Sequence, residues 1–449
     1  MDKKDYFKDK KITVMGLGLL GRGVGDVEFL AQKGADLTVT DIKTEEELAP
    51  SLKRLQGFNN IKFVLSGHRF EDFQSKDLII KGAGVPLDSP YIEEARKNDI
   101  PVEMSTALFA DLSGAKVVGV TGTRGKTTVA QMIFRALESE KSAGHISKNI
   151  FLGGNLQGVS TLAYLNQAEE GDIAVLELDS WQLQGFRSRG ISPHISVFTT
   201  FMPDHMDYYK NDMEAYFFDK SAIYANQKTD DILIIGSSAY EYMKKYNLPA
   251  PHKNVRVCSK DDLREVPELS IAGDHNRFNA RLALEALYAL GVDEKVAKGH
   301  IVEFVGVSGR LEKIRVKEEI TFFNDTTATT PEAAIAALDS LKDEYEIILI
   351  AGGSDKGLDI KEFAESIKDN ASEIVLLSGK GTERLQADLA ASKFENVQPV
   401  SSMKEAVEAA LSLADSGTAV VLSPGFASFG MFKNEFDRGE QFREIINKL

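Results

Sequence analysis

Short β-branched apolar runs recur along this chain, and each ends on glycine or polar residues before a stretch with helical periodicity begins. Examples are Ile12–Gly16, Ala115–Gly122 and Glu346–Gly353. The alternation of such runs with helical stretches is typical of β-α-β units. Parallel strands need helical crossovers and are buried on both faces, which explains why the runs are continuously apolar. The sequence therefore predicts an α/β protein with mostly parallel sheets.

The pattern restarts twice, so the 449 residues divide into three α/β sections. One domain typically takes about 150 residues. We predict domains at residues 1–105, 106–306 and 307–449. The first and third are expected to be Rossmann-like, and the central one P-loop ATPase-like with a mostly parallel sheet. A helix over Asn276 to Leu290 is predicted to close the central section.

Charge and cysteine content limit the possible partners. The chain has 53 Lys and Arg against 68 Asp and Glu, a formal net charge of −15. Such a surface repels nucleic acid and anionic lipid, so a phosphate ligand needs a local site. The single cysteine, Cys258, excludes an intramolecular disulfide, and neither a secretory leader nor an apolar segment of membrane-spanning length is evident. We expect a cytoplasmic monomer that neither inserts into a membrane nor binds nucleic acid.

A glycine-rich turn, Gly16 to Gly21, follows the first predicted strand and opens a helix with the pattern GxGxxG. Asp41 ends the next strand, 20 residues after Gly21. This arrangement matches the dinucleotide-binding fingerprint, in which backbone N–H groups face a diphosphate and the acid accepts a hydrogen bond from a hydroxyl. NAD and a UDP-sugar both fit the pattern, and so does a packing turn without a ligand.

A second glycine turn, Gly119 to Thr128, has the sequence GVTGTRGKTT between an apolar strand and an amphipathic helix. Five residues rather than four separate Gly119 from Gly125, so the spacing departs from the standard Walker pattern. The loop can still bind a magnesium-nucleotide, because its amides and Lys126 can hold β- and γ-phosphates and the Thr127 hydroxyl can bind Mg²⁺. The turn therefore predicts a nucleoside triphosphate site.

Ligands for the Mg²⁺ of a bound nucleotide are expected from the neighbouring strands. Glu177 lies near the end of the run Asp172–Asp179, and His205 follows the next strand on a polar loop. Glu177 is the better metal candidate, because Mg²⁺ prefers hard oxygen ligands. Taken without its neighbours, His205 fits a capping or packing role better than that of a metal ligand, because an average histidine more often has such a role.

A third glycine turn, Gly352 to Gly357, follows another apolar run and carries Lys356. Open α/β sheets bind ligands at such strand ends. A surface turn with a solvated lysine fits the same residues. By itself, this turn leaves both interpretations open.

Eight motifs and a ninth near the C-terminus occur in an order that is far more specific than any one of them. They are VTGTRGKTT, ELDSWQL, PDHMD, GDHNRFN, GRLE, NDTTATT, GGSDKG, LSPGFASF and FKNEFDRG. Together they resemble the Mur ligase family over a span from Gly16 to nearly the C-terminus. The resemblance implies a UDP-binding domain, a central ATPase domain and a C-terminal amino-acid domain that closes over the cleft.

Within the family, the LSPGFASF motif and the glycine-rich N-terminal section are most similar to the branch that adds D-glutamate to UDP-N-acetylmuramoyl-L-alanine. The resemblance implies an ADP-forming ligase of peptidoglycan precursor synthesis that uses these two substrates and passes through an acyl phosphate. It further implies ATP and Mg²⁺ as cofactors, with two Mg²⁺ sites. Lys220 is similar to the lysine that the family carbamylates.

The resemblance also implies roles for individual residues. The catalytic candidates are Lys126, His205 and Lys220, and the metal candidates are Thr127, Glu177, His205 and Lys220. ATP contacts are expected from Gly122, Thr123, Gly125, Lys126, Thr127, Thr128, Asn279, Arg310 and Asp325. The UDP-linked substrate is expected at Gly18, Leu19, Leu20, Asp41, Gly84 and Asn155, and the amino acid at Thr329, Lys356 and Ser428.

The chain differs from the family pattern at positions that bear on the amino acid it takes. Thr326–Thr330 has the sequence TTATT where the family commonly has SKAT(N), and Glu435 replaces an aromatic residue. A Mur-type or folylpolyglutamate-type ligase for another amino acid is therefore the nearest alternative. An NAD(P)-binding oxidoreductase built on the first glycine turn and Asp41 is a second, and a catalytically silent relative that binds wall precursors is a third.

Overall fold

The structure is a computed structural model that describes residues 5–18, 21–156, 158–271, 273–355, 357–391, 394 and 397–449. The chain divides into two compact units. Unit 1 contains Met1–Pro267 and Phe278–Ile301, and unit 2 contains Glu268–Arg277 and Val302–Leu449. Two of the three sheets belong to unit 1 and the third to unit 2.

The first sheet of unit 1 has five parallel strands in the order β3-β2-β1-β4-β5. They are β1 Lys11–Met15, β2 Asp36–Thr40, β3 Ile61–Val64, β4 Leu78–Lys81 and β5 Val102–Glu103. Its helices are α1 Arg22–Gln32, α2 Glu45–Leu55, α3 Pro90–Lys97 and α4 Ser105–Leu112. The strand order reverses between β1 and β4, and this is the place in an open α/β sheet where ligands bind.

The second sheet of unit 1 has six parallel strands in the order β11-β10-β9-β6-β8-β7. They are β6 Lys116–Thr121, β7 Ile150–Gly154, β8 Ile173–Glu177, β9 Ile195–Phe198, β10 Ile232–Gly236 and β11 Val255–Cys258. The helices of this part are α5 Lys126–Ser142, α6 Ser180–Arg189, α7 Met213–Ser221, α8 Ser237–Lys245, α9 Asp274–Ala289 and α10 Glu294–Val302. The ends of β8 and β9 flank the end of β6 and its glycine turn.

The sheet of unit 2 has six strands in the order β12-β13-β17-β14-β15-β16, and only the β12-β13 pair is antiparallel. The strands are β12 Glu312–Lys317, β13 Ile320–Asn324, β14 Glu346–Ala351, β15 Glu373–Leu377, β16 Val397–Val400 and β17 Thr418–Leu422. The helices are α11 Pro331–Leu341, α12 Lys361–Asn370, α13 Lys380–Ala391, α14 Met403–Leu413 and α15 Glu435–Lys448.

The structure confirms the predicted class, an α/β protein with three mostly parallel sheets. The predicted helix over Asn276 to Leu290 corresponds to α9, which begins two residues earlier. The exact domain boundaries at 105/106 and 306/307 stay predictions. Among the described residues, no helix has both the length and the apolar character needed to cross a bilayer.

The single cysteine lies in the interior of unit 1. Cys258 ends β11, where its register partner in β10 is Gly236. The side chain is buried, and burial raises the pKa of its thiol to about 12. A thiol with so high a pKa is almost wholly protonated at neutral pH and therefore unreactive.

Candidate active site

The turn after β6 closes around the side chain of Lys126. Lys126 Nζ donates hydrogen bonds to the carbonyl oxygens of Gly122, at 3.0 Å, and Thr123, at 3.2 Å. Gly122 has a φ of 144°, and a Cβ there would lie 2.0 Å from Thr199 Oγ1. Gly125 occupies the N-cap of α5 with a φ of 86° and has no side chain with which to cap the helix. The first amides of such a helix attract anions, so the loop fits a phosphate group.

Residues from β9 and α9 hold this loop in place. Arg124 N donates to Thr200 Oγ1 at 3.0 Å, and the Arg124 guanidinium lies 3.1 Å from Asp204 Oδ2. On α9, Asn279 lies against the loop, since a Cβ on Gly125 would be 2.3 Å from Asn279 Oδ1. The structure therefore brings Asn279, a predicted ATP contact, to the predicted phosphate loop.

Glu177 ends β8 beside the loop. Its register partner in β6 is Val120, two residues before Gly122. The residue is 4% exposed, and its Oε2 has no hydrogen-bond partner among the described residues. A buried carboxylate oxygen without a partner is costly unless a cation neutralises it. Glu177, with the hydroxyl of Thr127 at the start of α5, therefore fits a hard divalent cation.

His205 lies in the loop after β9, in the left-handed region with a φ of 55°. Its ring centroid is 4.7 Å from that of Trp181, and its Nε2 is 3.8 Å from Asp204 Oδ2. Burial lowers the pKa of His205, while the neighbouring Asp204 acts in the opposite direction. The net effect favours the neutral imidazole at neutral pH, which is the form that binds a metal ion.

Lys220 lies on α7 and is only 1% exposed. Its Nζ donates to the carbonyl oxygen of Gly122 at 3.0 Å, the same oxygen that Lys126 contacts. Burial lowers the pKa of Lys220 well below its usual value, and the charge of Lys126 lowers it further. Both effects favour the neutral, nucleophilic form of the amine.

Sequence reasoning missed an acid next to Lys220. Asp219 Oδ2 accepts hydrogen bonds from Gln184 Nε2 at 2.8 Å and from the Tyr209 hydroxyl at 2.9 Å. Burial raises the pKa of Asp219, and these two hydrogen bonds act against the rise. Its partners lie 35 and 10 residues away, so no local pattern in the sequence signals the cluster.

The first glycine turn, unlike the second, is bound by a buried carboxylate. Asp41, at the end of β2, is 4% exposed. Its Oδ2 accepts from the amides of Leu17, at 2.8 Å, and Gly18, at 3.0 Å, while Oδ1 accepts from Lys43 N at 3.0 Å. Both carboxylate oxygens are thus engaged by the backbone, and Asp41 holds the turn together. The neighbouring candidates Leu19 and Leu20 lie outside the described residues.

Gly84 lies in the loop after β4, at the same edge of the first sheet. The loop is tied to β1, because Gly82 N donates to Met15 O at 2.8 Å. Lys81 ends β4 and donates from Nζ to Val85 O at 3.0 Å. Burial lowers the pKa of Lys81 to about 8. Gly84 itself is exposed, so its backbone is accessible to a ligand.

Asn155 directly follows β7 and connects the two sheets of unit 1. Its backbone N donates to Glu177 O at 2.7 Å. Its side-chain Oδ1 accepts from Nη1 of Arg22, on α1, at 2.7 Å. Arg22 lies 133 residues from Asn155 in the chain, and sequence reasoning gave it no role.

Two predicted ATP contacts, Arg310 and Asp325, belong to unit 2. Arg310 is exposed. Asp325 is buried, and burial raises its pKa to about 7. Its Oδ1 accepts from Leu311 N at 3.0 Å, and its Oδ2 accepts from Ser423 Oγ at 2.7 Å. Asp325 therefore links the segment before β12 to the end of β17.

The predicted amino-acid candidates also lie in unit 2. Thr329 lines a small cavity with Asp355, Gly425 and Phe426. Ser428 is 3% exposed, and its Oγ has no hydrogen-bond partner within the described part of the chain. Lys356 lies outside the described residues. An unpaired buried hydroxyl next to a cavity-lining segment fits a polar ligand.

The third glycine turn is bonded to the same segment. Gly352 N donates to Pro424 O at 2.9 Å, and Ser354 N donates to Ala427 O at 2.8 Å. From α15, the buried Arg438 donates to Phe426 O at 3.2 Å. Backbone hydrogen bonds therefore join the third glycine turn to this segment, and the Arg438 side chain joins α15 to it.

Three family models match the chain, one for each sheet. Residues 10–103 match the Mur ligase MurD-like N-terminal domain, and residues 120–264 match the Mur ligase middle domain. Residues 309–426 match the Mur ligase glutamate ligase domain. Each match includes most of the strands of the corresponding sheet.

Full-length relatives give the same result. The chain is 35% identical to the UDP-N-acetylmuramoylalanine–D-glutamate ligase of Roseiflexus sp. (strain RS-1), over 98% of this chain and 99% of the relative. It is 34% identical to the enzyme of that name from Borreliella burgdorferi (strain ZS7), over 99% of both chains. Among solved structures it is similar to UDP-N-acetylmuramate-alanine ligase MurC from Thermotoga maritima, with a TM-score of 0.62 and 18% identity over 98% of this chain and 99% of that one. The last likeness concerns the fold alone.

Proposed function

The chain belongs to the Mur ligase family, and from this premise we propose that it joins D-glutamate to UDP-N-acetylmuramoyl-L-alanine in an ATP-dependent, ADP-forming reaction of peptidoglycan precursor synthesis. The observation that carries the proposal is the convergence of Lys126, Lys220 and Glu177 around one glycine loop. A phosphate loop with an adjacent unpaired carboxylate fits a magnesium-nucleotide.

The need for ATP follows from the chemistry of the acid. A carboxylate is a poor acyl donor, because the direct attack of an amine on it would have to expel an oxide or hydroxide ion, which is a poor leaving group. In the proposed reaction, an oxygen of the L-alanine carboxylate attacks the γ-phosphorus of ATP, and ADP leaves. The amine of D-glutamate then attacks the acyl carbon, phosphate leaves, and the amine loses a proton as the amide forms. Exclusion of water protects the acyl phosphate between the two steps.

We assign the phosphate contacts of ATP to the loop after β6. The backbone of this loop and the ammonium of Lys126 neutralise the charge that develops on the transferred group. Mg²⁺ supplies further charge neutralisation when it is bound. The full set of proposed ATP contacts is Gly122, Thr123, Gly125, Lys126, Thr127, Thr128, Asn279, Arg310 and Asp325.

We assign one Mg²⁺ to Thr127 and Glu177 and a second to His205 and Lys220. Two observations support the assignment: Glu177 Oε2 lacks a partner among the described residues, and the pKa of His205 is lowered by burial. Burial favours the neutral form of the Lys220 amine, and in that form the amine can attack CO₂ and lose a proton, which gives a carbamate with anionic oxygen. Carbamylation turns a buried base into an oxygen ligand.

We assign the UDP-linked substrate to the edge of the first sheet and to Asn155. The proposed residues are Gly18, Leu19, Leu20, Asp41, Gly84 and Asn155. For D-glutamate we propose Thr329, Lys356 and Ser428, and the unpaired Ser428 hydroxyl supports this assignment. The three domains at residues 1–105, 106–306 and 307–449, the monomer and the cytoplasmic location stay predictions from the sequence.

The oxidoreductase alternative is weakened by the second glycine turn. A dinucleotide site built on the first turn and Asp41 leaves the phosphate loop around Lys126 unexplained. A ligase for another amino acid is the stronger alternative, because Thr326–Thr330 and Glu435 depart from the family pattern.

The deciding assay measures ATP- and amino-acid-dependent phosphate release with UDP-N-acetylmuramoyl-L-alanine. D-glutamate is compared with L-glutamate, L-alanine, L-lysine and D-aspartate. We expect D-glutamate to stimulate release and the other amino acids to have little effect. Stimulation by another amino acid in place of D-glutamate would support the nearest alternative. Tight NADH binding without binding of UDP would support an oxidoreductase.

A further inference from the structure

The first turn of α1 packs closely on the loop that follows β7. Besides the contact from Arg22 to Asn155, Asp26 Oδ1 accepts a hydrogen bond from Ser160 Oγ at 2.6 Å. A Cβ on Gly25 would lie 2.7 Å from Ser160 Cβ, so the helix approaches the loop too closely for a larger residue. Arg22 and Asp26 lie one helical turn apart on α1, and both side chains therefore contact this loop.

Asn155 is also fixed from the opposite side. Its backbone amide donates to Glu177 O at 2.7 Å. The preceding Gly154 has a φ of 89°, and a Cβ there would lie 2.0 Å from the same Glu177 oxygen. The backbone of Asn155 is thus held against β8, and its side chain is held by Arg22.

The direction of the Arg22 contact determines which group Asn155 can offer to a ligand. A guanidinium has donors only, so it binds the oxygen of the Asn155 amide. The NH₂ group of the amide is then directed elsewhere, and it can only donate. We propose that Arg22 is a positioning residue for the UDP-linked substrate, which fixes the Asn155 amide so that its NH₂ group donates to an oxygen of that substrate.

This proposal rests on the proposed function, because it takes Asn155 to contact UDP-N-acetylmuramoyl-L-alanine. A direct contact between Arg22 and the diphosphate is the competing explanation, since Arg22 lies at the start of α1 and a guanidinium binds phosphate well. The two explanations differ in whether the effect of Arg22 depends on Asn155.

The first experiment replaces Arg22 and measures substrate affinity by calorimetry and by steady-state kinetics. In the Arg22→Ala protein we expect the Kd and KM for UDP-N-acetylmuramoyl-L-alanine to rise on the order of tenfold, with the KM for ATP and the thermal midpoint unchanged. Arg22→Lys keeps a donor and should recover part of the affinity. An unchanged Kd in the Arg22→Ala protein would overturn the proposal.

Arg54 provides a matched control. It also binds a residue of α1 from the same domain, with Arg54 Nη2 2.6 Å from Glu28 Oε2, and no hydrogen bond links this pair to a proposed site residue within the described part of the chain. Arg54→Ala should leave the KM for the UDP-linked substrate at the parent value. An equal rise in KM for Arg54→Ala and Arg22→Ala would indicate a general charge effect and contradict the proposal.

The second experiment separates the two groups of the Asn155 amide. Asn155→Asp keeps the oxygen that Arg22 contacts but lacks the NH₂ donor, so we expect it to bind the UDP-linked substrate as weakly as Asn155→Ala. Parent-like binding by Asn155→Asp would overturn the proposal. In the double variant Arg22→Ala/Asn155→Ala, loss of Arg22 should add less than twofold to the loss from Asn155→Ala alone. Additive losses would instead support direct phosphate binding by Arg22.

The parent protein distinguishes failure of this inference from failure of the proposed function. A parent that does not bind UDP-N-acetylmuramoyl-L-alanine contradicts both. A parent that binds it, together with an Arg22→Ala protein that binds it equally well, contradicts only the role of Arg22.

Discussion

Two glycine turns of the same design open α1 and α5, yet opposite charges surround them. Gly21 and Gly125 occupy the two N-caps with φ values of 83° and 86°. Beneath the first turn, the carboxylate of Asp41 binds two of the turn's own amides. Within the second, the ammonium of Lys126 donates to the carbonyl oxygens of Gly122 and Thr123. The glycines set the path of the backbone, whereas residues from other strands and helices set the charge.

This difference separates the tasks of the two turns. The first turn already holds an anion in the form of Asp41, so the amides of Leu17 and Gly18 are engaged within the protein. The second concentrates positive charge where a phosphoryl group would be transferred. A glycine motif alone therefore does not indicate which chemistry a turn performs.

The largest expected effect comes from removing the positive charge of the second turn. Lys126→Ala should lower D-glutamate-dependent phosphate release on the order of 10³-fold, because a principal electrostatic contact to the transferred group is lost. Lys141→Ala is the control and should keep the parent rate, because it removes another lysine of α5 whose Nζ donates to Asn149 Oδ1 at 3.2 Å, away from the glycine loop. Phosphate release at the parent rate by a folded Lys126→Ala protein would contradict the proposed function.

The steric difference between the turns can be tested with alanine. Gly122→Ala places a Cβ 2.0 Å from Thr199 Oγ1 at a φ of 144°, and we expect a loss of about 3 to 4 kcal/mol in the free energy of unfolding. Gly18→Ala, at a φ of 66°, places a Cβ with no atom of the described residues within 4 Å, so we expect only the cost of the left-handed backbone, about 1 kcal/mol. Urea titrations measure both values. Equal losses would show that sterics do not distinguish the turns.

The buried acid of α1 predicts a pH-dependent effect. Burial raises the pKa of Asp26 from 3.8 to about 6. The contribution of the protonated Asp26 to the stability of the folded state is therefore fully present below pH 4 and is lost as the pH rises through 6. Asp26→Asn resembles the protonated acid, so it should stabilise unit 1 by as much as about 3 kcal/mol at pH 7.5 and have little effect below pH 4. Unfolding titrations at the two pH values test this; an equal effect at both would contradict it.

A smaller effect than that of Asp26→Asn is expected for the acid of the first turn. Asp41→Asn replaces one carboxylate oxygen by an NH₂ group that would face backbone donors. We expect a loss of about 2 kcal/mol in unfolding free energy. If Asp41 instead served a ligand without supporting the turn, the apo protein would unfold at the parent urea midpoint.

The strands found from the sequence are those with continuous apolar runs, such as β6 and β14. The edge strand β12, with the sequence EKIRVK, was not predicted, because most of its side chains are only half-buried and it has no apolar run. It pairs antiparallel with β13, so a hairpin replaces the helical crossover on which the predictions were based. Similarly, β16 contains a proline, Pro399, and has only one fully buried residue.

Within the candidate site, the sequence identified residues that lie in compact motifs, such as Lys126 and Glu177. It could not identify Arg22, because the link to Asn155 spans 133 residues and exists only after two domains fold. Nor could it give the protonation of Lys220, because the lowered pKa results from burial and from the nearby Lys126. The roles assigned to individual residues remain predictions for the experiments above.

The buried thiol of Cys258 has a practical consequence. With a pKa of about 12, it carries almost no thiolate at neutral pH and should react slowly with maleimides. A cysteine introduced at an exposed position of each unit can therefore be labelled selectively in the otherwise native sequence. A dye attached in this way would report the local environment of the unit that carries it.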